Sequence, residues 1–251
     1  EAVWSPYGER NAAFSFDDGG AAGRIAGAKL FDGNTVIPGP PKSGHFDIED
    51  RFTISAWVNG NGTVAARKAS DGYKTKGIGL FIADGKVEFH IVSQWDSDAL
   101  KVETEAAIGE GWHHIAGGYS GTRMAEDAHI YVDGKLWKTK IVSDTLYRPF
   151  INAAGKFDAT LTVARGSGKE KRFRGLLDDV RVYGRELRGE EIAMMAAGRP
   201  LAELAAKKRT EMEERQLRLV YLEESDVWRR AQQLRVERER CGSRGVEALL
   251  G

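Results

Sequence analysis

Over the first three quarters of the chain, apolar residues alternate with polar ones, the period of a strand with one face buried. In FTISAWV, Phe52, Ile54, Ala56 and Val58 share one face, leaving Thr53, Ser55 and Trp57 on the other. GIGLFIADGKVEFHIVS reads as a hairpin, with Leu80 and Ile82 on one face of its first arm and Val87, Phe89 and Ile91 on one face of its second. Asp84-Gly85 sits between the arms, where a type I′ turn needs positive φ at both central residues. Asp32-Gly33, Asp71-Gly72 and Asp133-Gly134 repeat that signal. GWHHIAGGYSG, HIYVDGK, ALKVETEAA, ATLTVARG and LLDDVRVY add further short strands, separated by Gly, Asn, Asp, Ser and Lys. Many short strands with no helix between them predict an all-β, antiparallel jelly-roll sandwich and exclude alternating βαβ units.

The pattern changes after Leu187. Gly189 to Ala197 predicts one or two helical turns that close the domain, and Gly198-Arg199-Pro200 stop them. Leu201 to Arg240 is built from Glu, Arg, Lys, Leu, Ala and Gln, with no Gly or Pro inside, and predicts helix. Its apolar positions, among them Leu204, Leu217, Val220, Trp228 and Leu234, lie at three- and four-residue spacings, and Ser225-Asp226 is placed to cap a second helix. Heptads are not sustained, so a helical hairpin or docking helix is expected in place of a long coiled coil. The division is therefore a sandwich over residues 1–198 and a charged amphipathic helical extension over 199–251. That stripe must bury against the sandwich, a second copy or another part of a parent protein, so oligomers through these helices are one expectation.

A chain of 251 residues that is 41% hydrophobic can bury a full core. Lys+Arg and Asp+Glu are both 37, so no global charge draws nucleic acid, which is excluded as a general partner. The single cysteine, Cys241, leaves no internal disulfide and no cysteine-based zinc site. No run of about 18 apolar residues exists, so membrane insertion is not expected. The chain begins at Glu1 without Met or a basic-then-apolar leader, and is expected to be a soluble piece of something longer.

As an ordered set, FSFDDG, KLFDGNTVIPG, FTISAWV, GLFIADGKVEFHI, GWHHIAGGYSG, IYVDGK and FRGLLDDVRVYGREL with EEIAMM resemble the laminin-G-like, concanavalin A-like lectin/glucanase domains. The likeness covers roughly residues 14 to 197 and implies two antiparallel sheets, with carbohydrate recognition as the commonest role. The run into KKRTEMEERQLRLVYLEESDVWRRAQQLRVERER is similar to the insert and helical segment of large planctomycete multidomain proteins carrying DUF1549 and DUF1553 regions, often beside a cytochrome c-like domain. That likeness implies an extracytoplasmic, periplasmic or secreted, setting and other domains of the parent as partners. The chain has no C-x-x-C-H haem motif of its own.

The resemblance also implies neighbouring terminal strands with a structural calcium close by. Asp17, Asp18 and Asp178 are the candidate ligands, since calcium takes six to eight hard oxygens and Asp-Gly-rich turns supply carboxylates and carbonyls. Asp178 shares strand parity with Val180 and Val182, which aims its carboxylate at the core and requires a partner there. The competing reading has Asp178 capping a turn or pairing with Arg165 or Arg181, and Asp18 making the turn with Gly19-Gly20. For a glycan, the candidates are Trp95, Asp96 and Asp98 in one polar loop and Tyr73 in another, because sugar faces stack on aromatics while their hydroxyls bond to polar side chains. Against this, Trp95 folds back as a lid on the sandwich edge and Tyr73 is loop filler. Trp57, Trp112 and Trp137 are expected to pack, and the imidazoles of His113 and His114 point to opposite faces and cannot chelate one ion.

Some glucanases share this architecture and need paired carboxyls about 5 to 9.5 Å apart. Glu103 and Glu105 alternate onto one face, with Glu88 a possible neighbour, but the E-x-D-x-E type of run is missing because Thr104 holds its centre. No G-x-S-x-G, P-loop or dinucleotide fingerprint occurs. The reading is a non-catalytic, glycan-binding recognition module of a larger extracytoplasmic protein. Its rivals are a structural or protein-docking scaffold, and a glycoside hydrolase or lyase.

Overall fold

The computed structural model describes residues 2–4, 10–16, 19–25, 27–70, 75–95, 97–151, 157, 159–166 and 172–197. The expected helical extension, Asp17, Asp18, Tyr73 and Asp96 lie outside the described residues. Among the described residues the chain forms β1 (Ala2–Trp4), β2 (Ala12–Phe14), β3 (Gly20–Ala22), β4 (Gly27–Asp32), β5 (Ile37–Pro38), β6 (Phe52–Ser70), β7 (Thr75–Ala83) and β8 (Lys86–Gln94). Then follow β9 (Asp98–Thr104), β10 (His113–Tyr119), β11 (Ala128–Val132), β12 (Lys135–Leu136), β13 (Thr139–Asp144), β14 (Leu161–Val163), β15 (Arg174–Tyr183) and the helix α1 (Gly189–Ala196).

All the strand pairs are antiparallel. The first sheet runs β1-β2-β15-β6-β10-β11-β12, with the β3–β4 hairpin joined to the N-terminal half of β15. The second runs β5-β14-β6-β7-β8-β9-β13. The 19-residue β6 serves both: residues up to Asn61 pair with β10 and β15, and Gly62 onward pairs with β7. The strand read from FTISAWV ends at Val58, ahead of the glycines of NGNG. Its glycines instead let two backbones touch. A Cβ at Gly62, where φ is 120°, would lie 2.5 Å from the Arg172 carbonyl oxygen, and one at Gly60 would strike the Arg174 carbonyl.

The alternation in the sequence is realised as read. Phe52, Ile54, Ala56 and Val58 meet Leu80, Ile82, Val87, Phe89 and Ile91 in one core between the sheets. Phe52 is its hub, stacked on Phe46 at 5.0 Å, tilted against Phe89 at 5.5 Å and edge-on to Tyr119 at 5.8 Å. Each buried side chain of this size contributes about 1.5–3 kcal/mol, so the row specifies which face of β6 turns inward. The turns at Asp84-Gly85 and Asp133-Gly134 have positive φ at both residues, as type I′ demands.

The other face of the first sheet is covered as well. Ile192 of α1, with Leu187 just before the helix, packs over Ala116, flanked by Tyr131, Tyr183 and Met195. Thr53 fastens the approach to it, donating to the Arg185 carbonyl at 3.1 Å and accepting from the Leu187 amide at 2.9 Å. β15 departs from simple alternation. Asp179 has φ of 48° and the register with β6 slips between Asp178 and Arg181, a bulge that resets the parity. Leu177, Val180 and Val182 therefore all face the core, while Asp178 lies opposite Trp57 on the outer face, the reverse of its expected direction.

Candidate functional site

The outward side chains of β6 to β9 form the best-defined polar constellation among the described residues. Cross-strand register aligns Ala66, Gly79, His90 and Lys101 in one row, and Phe81, Glu88 and Glu103 in the next. Gly79 leaves room for an aromatic floor: a Cβ there would lie 2.5 Å from Phe81 Cζ, so the ring lies over the glycine. Phe81 stacks on His90 at 4.5 Å between centroids, and Trp95, in the turn after β8, meets His90 edge-on at 5.1 Å. Lys68 Nζ stands 4.6 Å from the Phe81 centroid and 5.1 Å from that of Trp95, a cation over two aromatic faces.

A hydrogen-bonded chain runs across this floor. Lys68 Nζ donates to His90 Nδ1 at 3.4 Å, His90 Nε2 donates to Glu88 Oε2 at 2.9 Å, and Lys101 Nζ donates to Glu88 Oε1 at 2.8 Å. An ammonium can only donate and a carboxylate can only accept, which fixes the imidazole between them in its neutral form. Burial, then the Lys68 charge, push His90 down to about 3. Burial raises the Glu88 carboxyl, but hydrogen bonds from His90 and Lys101 outweigh it and bring the group down to about 2. Lys86 adds a bond to Glu103 at 3.3 Å. The face thus holds a neutral imidazole, an ionised carboxylate and fixed ammonium groups under a half-buried indole.

Trp95 is the one predicted glycan ligand that the described residues place here. It folds onto His90 and Lys68 and stays partly exposed. Asp98 goes elsewhere. The register slips between Val92 and Gln94, and Asp98 falls on the inward side with Leu100, 0% exposed. Its carboxylate accepts from the Tyr147 amide at 2.9 Å, the Arg148 amide at 3.3 Å and Arg148 Nε at 2.8 Å, so it anchors a loop and is closed to a ligand. Glu105 lies beyond the end of β9, so it does not face Glu103 as read; the neighbour of Glu103 is Glu88, directly opposite. His113 and His114 have separate partners, His113 Nδ1 meeting Asp133 Oδ2 at 2.8 Å and His114 packing edge-on against Trp57 at 5.4 Å.

Asp178 spends one carboxylate oxygen, Oδ2, on two backbone amides, of Arg24 at 2.6 Å and Ile25 at 2.8 Å. Among the described residues no group of three His, Cys, Asp or Glu side chains could hold a metal, and an oxygen already accepting two N–H groups competes poorly for calcium. Asp17 and Asp18, the other two expected calcium ligands, lie outside the described residues. No helix among them is long and apolar enough to cross a membrane.

Sequence reading missed Lys68, Phe81 and His90. Alternation in VEFHIVS already put Glu88 and His90 on the face away from Val87, Phe89 and Ile91; what it could not supply was the register that sets them beside Lys68 and Lys101.

Comparison with solved structures gives domain 4 of AbnA, a GH43 extracellular arabinanase from Geobacillus stearothermophilus, in complex with arabinotriose: 21% identity over 70% of this chain and 79% of that one, with a TM-score of 0.50. The binding domain of botulinum neurotoxin serotype C1 aligns at 15% identity and a TM-score of 0.44, covering 64% of this chain, which spans about two fifths (39%) of that domain. Among curated proteins none matches. The family described as the concanavalin A-like lectin/glucanases superfamily, in its laminin-G form, matches residues 32–193, well over half of the sequence. With two antiparallel sheets around one core and that match across them, the chain belongs to the concanavalin A-like lectin/glucanases superfamily.

Proposed function

We propose that the chain is a non-catalytic recognition module that binds glycans on the outer face of its second sheet. Trp95 is the stacking platform, and Lys101, Glu103 and Lys86 bond to sugar hydroxyls around it. The observation that carries this reading is the indole itself: a half-exposed tryptophan, held in one orientation by His90 and Lys68, beside a row of ion-paired polar groups. Such a platform presents a flat apolar face at little cost in side-chain entropy. Asp96, next to Trp95 in sequence, and Tyr73 are further contacts under this reading, and an extracytoplasmic setting suits it. A domain of the same fold holding arabinotriose supports the ligand class.

A hydrolytic role has less support. Glu88 and Glu103 face each other, but His90 and Lys101 already engage both oxygens of Glu88 and Lys86 engages Glu103, so both carboxylates are committed to the protein's own ion pairs. Affinity electrophoresis of the full chain through gels carrying arabinan and other polysaccharides tests the proposal. Retardation on at least one of them, abolished by Trp95→Ala, is expected; equal mobility on all of them overturns the reading.

Docking within a larger protein is the second reading, favoured by a different observation. Of the exposed large apolar side chains among the described residues, Leu30 lies on β4 and the other five, Met124, Leu136, Ile141, Val142 and Tyr147, fall between residues 124 and 147 around β12 and β13. Exposed apolar groups gathered in one region mark contact surfaces. Here the Trp95→Ala variant keeps all partner binding, and Val142→Asp loses it.

A further inference from the structure

The outer face of the first sheet carries a second polar patch. Ser55 and Trp57 point outward from β6; His114 of β10 lies opposite Trp57 on one side and Asp178 of β15 on the other. Ser55, Trp57 and His114 are 0%, 4% and 1% exposed. Over them folds the tip of the β3–β4 hairpin, residues 23–25. It sets the Arg24 guanidinium carbon 5.0 Å from the Trp57 ring and gives its Arg24 and Ile25 amides to Asp178. Gly23 is required there, because a Cβ would strike Asp178 Oδ2. Yet Ser55 Oγ, Trp57 Nε1, His114 Nδ1 and Arg24 Nε are all buried, and no group among the described residues bonds to any of them. Buried polar atoms in native proteins are paired as a rule, and four exceptions in one patch point to a guest.

We propose that this patch is a second ligand site that takes the hydroxyl groups of a small saccharide or polyol, with the hairpin tip as its lid. The donor set selects the chemistry. Trp57 Nε1 and Arg24 Nε can only donate, Ser55 Oγ does both, and a neutral imidazole nitrogen gives or takes one bond, which together match hydroxyls. A carboxylate ligand is disfavoured, because Asp178, Asp179 and Asp133 already surround the patch against Arg24 and Arg181. The tip is held to the sheet by the Asp178 carboxylate and by the Arg24 guanidinium over Trp57, so it can lift when those contacts break. This site lies on the opposite sheet from Trp95 and does not depend on the Trp95 platform.

The indole N–H resonances of the full, 15N-labelled chain test it, with arabinotriose, glucose and glycerol as probes. Six tryptophans give six signals, and Trp57→Phe, or selective labelling if that variant does not fold, identifies the one from Trp57. At least one probe is expected to move the Trp57 signal saturably. The movement should persist in Trp95→Ala and need about tenfold more ligand in Arg24→Met, which keeps the side-chain bulk and removes a charged donor. A Trp57 signal that ignores every probe but shows a long-lived bound water would reduce the patch to a hydration site and overturn the proposal. Movement that vanishes in Trp95→Ala overturns it too, while leaving the glycan reading of the other face intact.

Discussion

The two outer faces of this sandwich are made by the same device, polar residues at alternate positions of strands whose other positions fill the core, yet they end in opposite states. On the second sheet, Lys68, His90, Glu88 and Lys101 satisfy one another in an unbroken chain. On the first, a hairpin tip folds over Trp57 beside His114 and Ser55, and Trp57 Nε1, His114 Nδ1 and Ser55 Oγ have no hydrogen-bond partner among the described residues. The difference teaches that alternation decides only which side chains leave the core. Whether they become a network or a compartment depends on what the neighbouring strands and the covering elements bring to them.

Removing one member from each face gives the largest contrast. Glu88→Ala takes away the carboxylate to which both His90 and Lys101 donate, and a loss of about 3–5 kcal/mol in urea unfolding is expected. His114→Phe removes a group with an unbonded nitrogen and keeps the ring, so its change should stay under about 1.5 kcal/mol. Equal losses would erase the distinction between the faces.

Acid unfolding comes next, and both faces contribute. Burial lowers His114 to about 4, and burial with the Lys68 charge lowers His90 to about 3, both from 6.5. The unfolded chain thus takes up these protons first. Stability is fully present above pH 6.5 and falls as pH drops through the window from 6.5 towards 4, with a limiting slope of about 2.7 kcal/mol per pH unit for two imidazoles. Glu88, lowered from 4.5 to about 2, extends the loss below pH 4.5. His114→Phe should reduce the slope between pH 6 and 5 by at most about 1.4 kcal/mol per pH unit; an unchanged slope would show that the first face does not hold its imidazole neutral.

Asp178→Asn tests the lid more gently. The amide oxygen still accepts, but without charge, so a cost of about 1 kcal/mol is expected, with faster hydrogen exchange confined to the Arg24 and Ile25 amides. Smallest of all is the stability effect of Trp95→Ala, at most about 1 kcal/mol because the indole caps the network without bonding into it, even though this substitution should abolish glycan binding.

Much of the architecture was legible because burial writes itself into the sequence at period two. Phe52 to Val58 and Val87 to Ile91 showed their inner faces, and Asp84-Gly85 and Asp133-Gly134 showed their turns, since few residues accept positive φ. The site was less legible for reasons that lie between strands. Asp98 and Trp95 are three residues apart in the chain, yet a register slip sends one to the core side and leaves the other at the surface. Asp178 reads as inward from Val180 and Val182 until the bulge at Asp179 turns it around.

The order of apolar and polar residues alone determined that this chain would build two antiparallel layers with a phenylalanine-rich core, because excluding those side chains from water is a local, repeated demand. Only the tertiary structure decided which outward groups would meet. Register, bulges and covering segments place Lys68 beside His90 and Arg24 over Trp57 across separations of 22 and 33 residues, and no local pattern encodes a cross-strand neighbour.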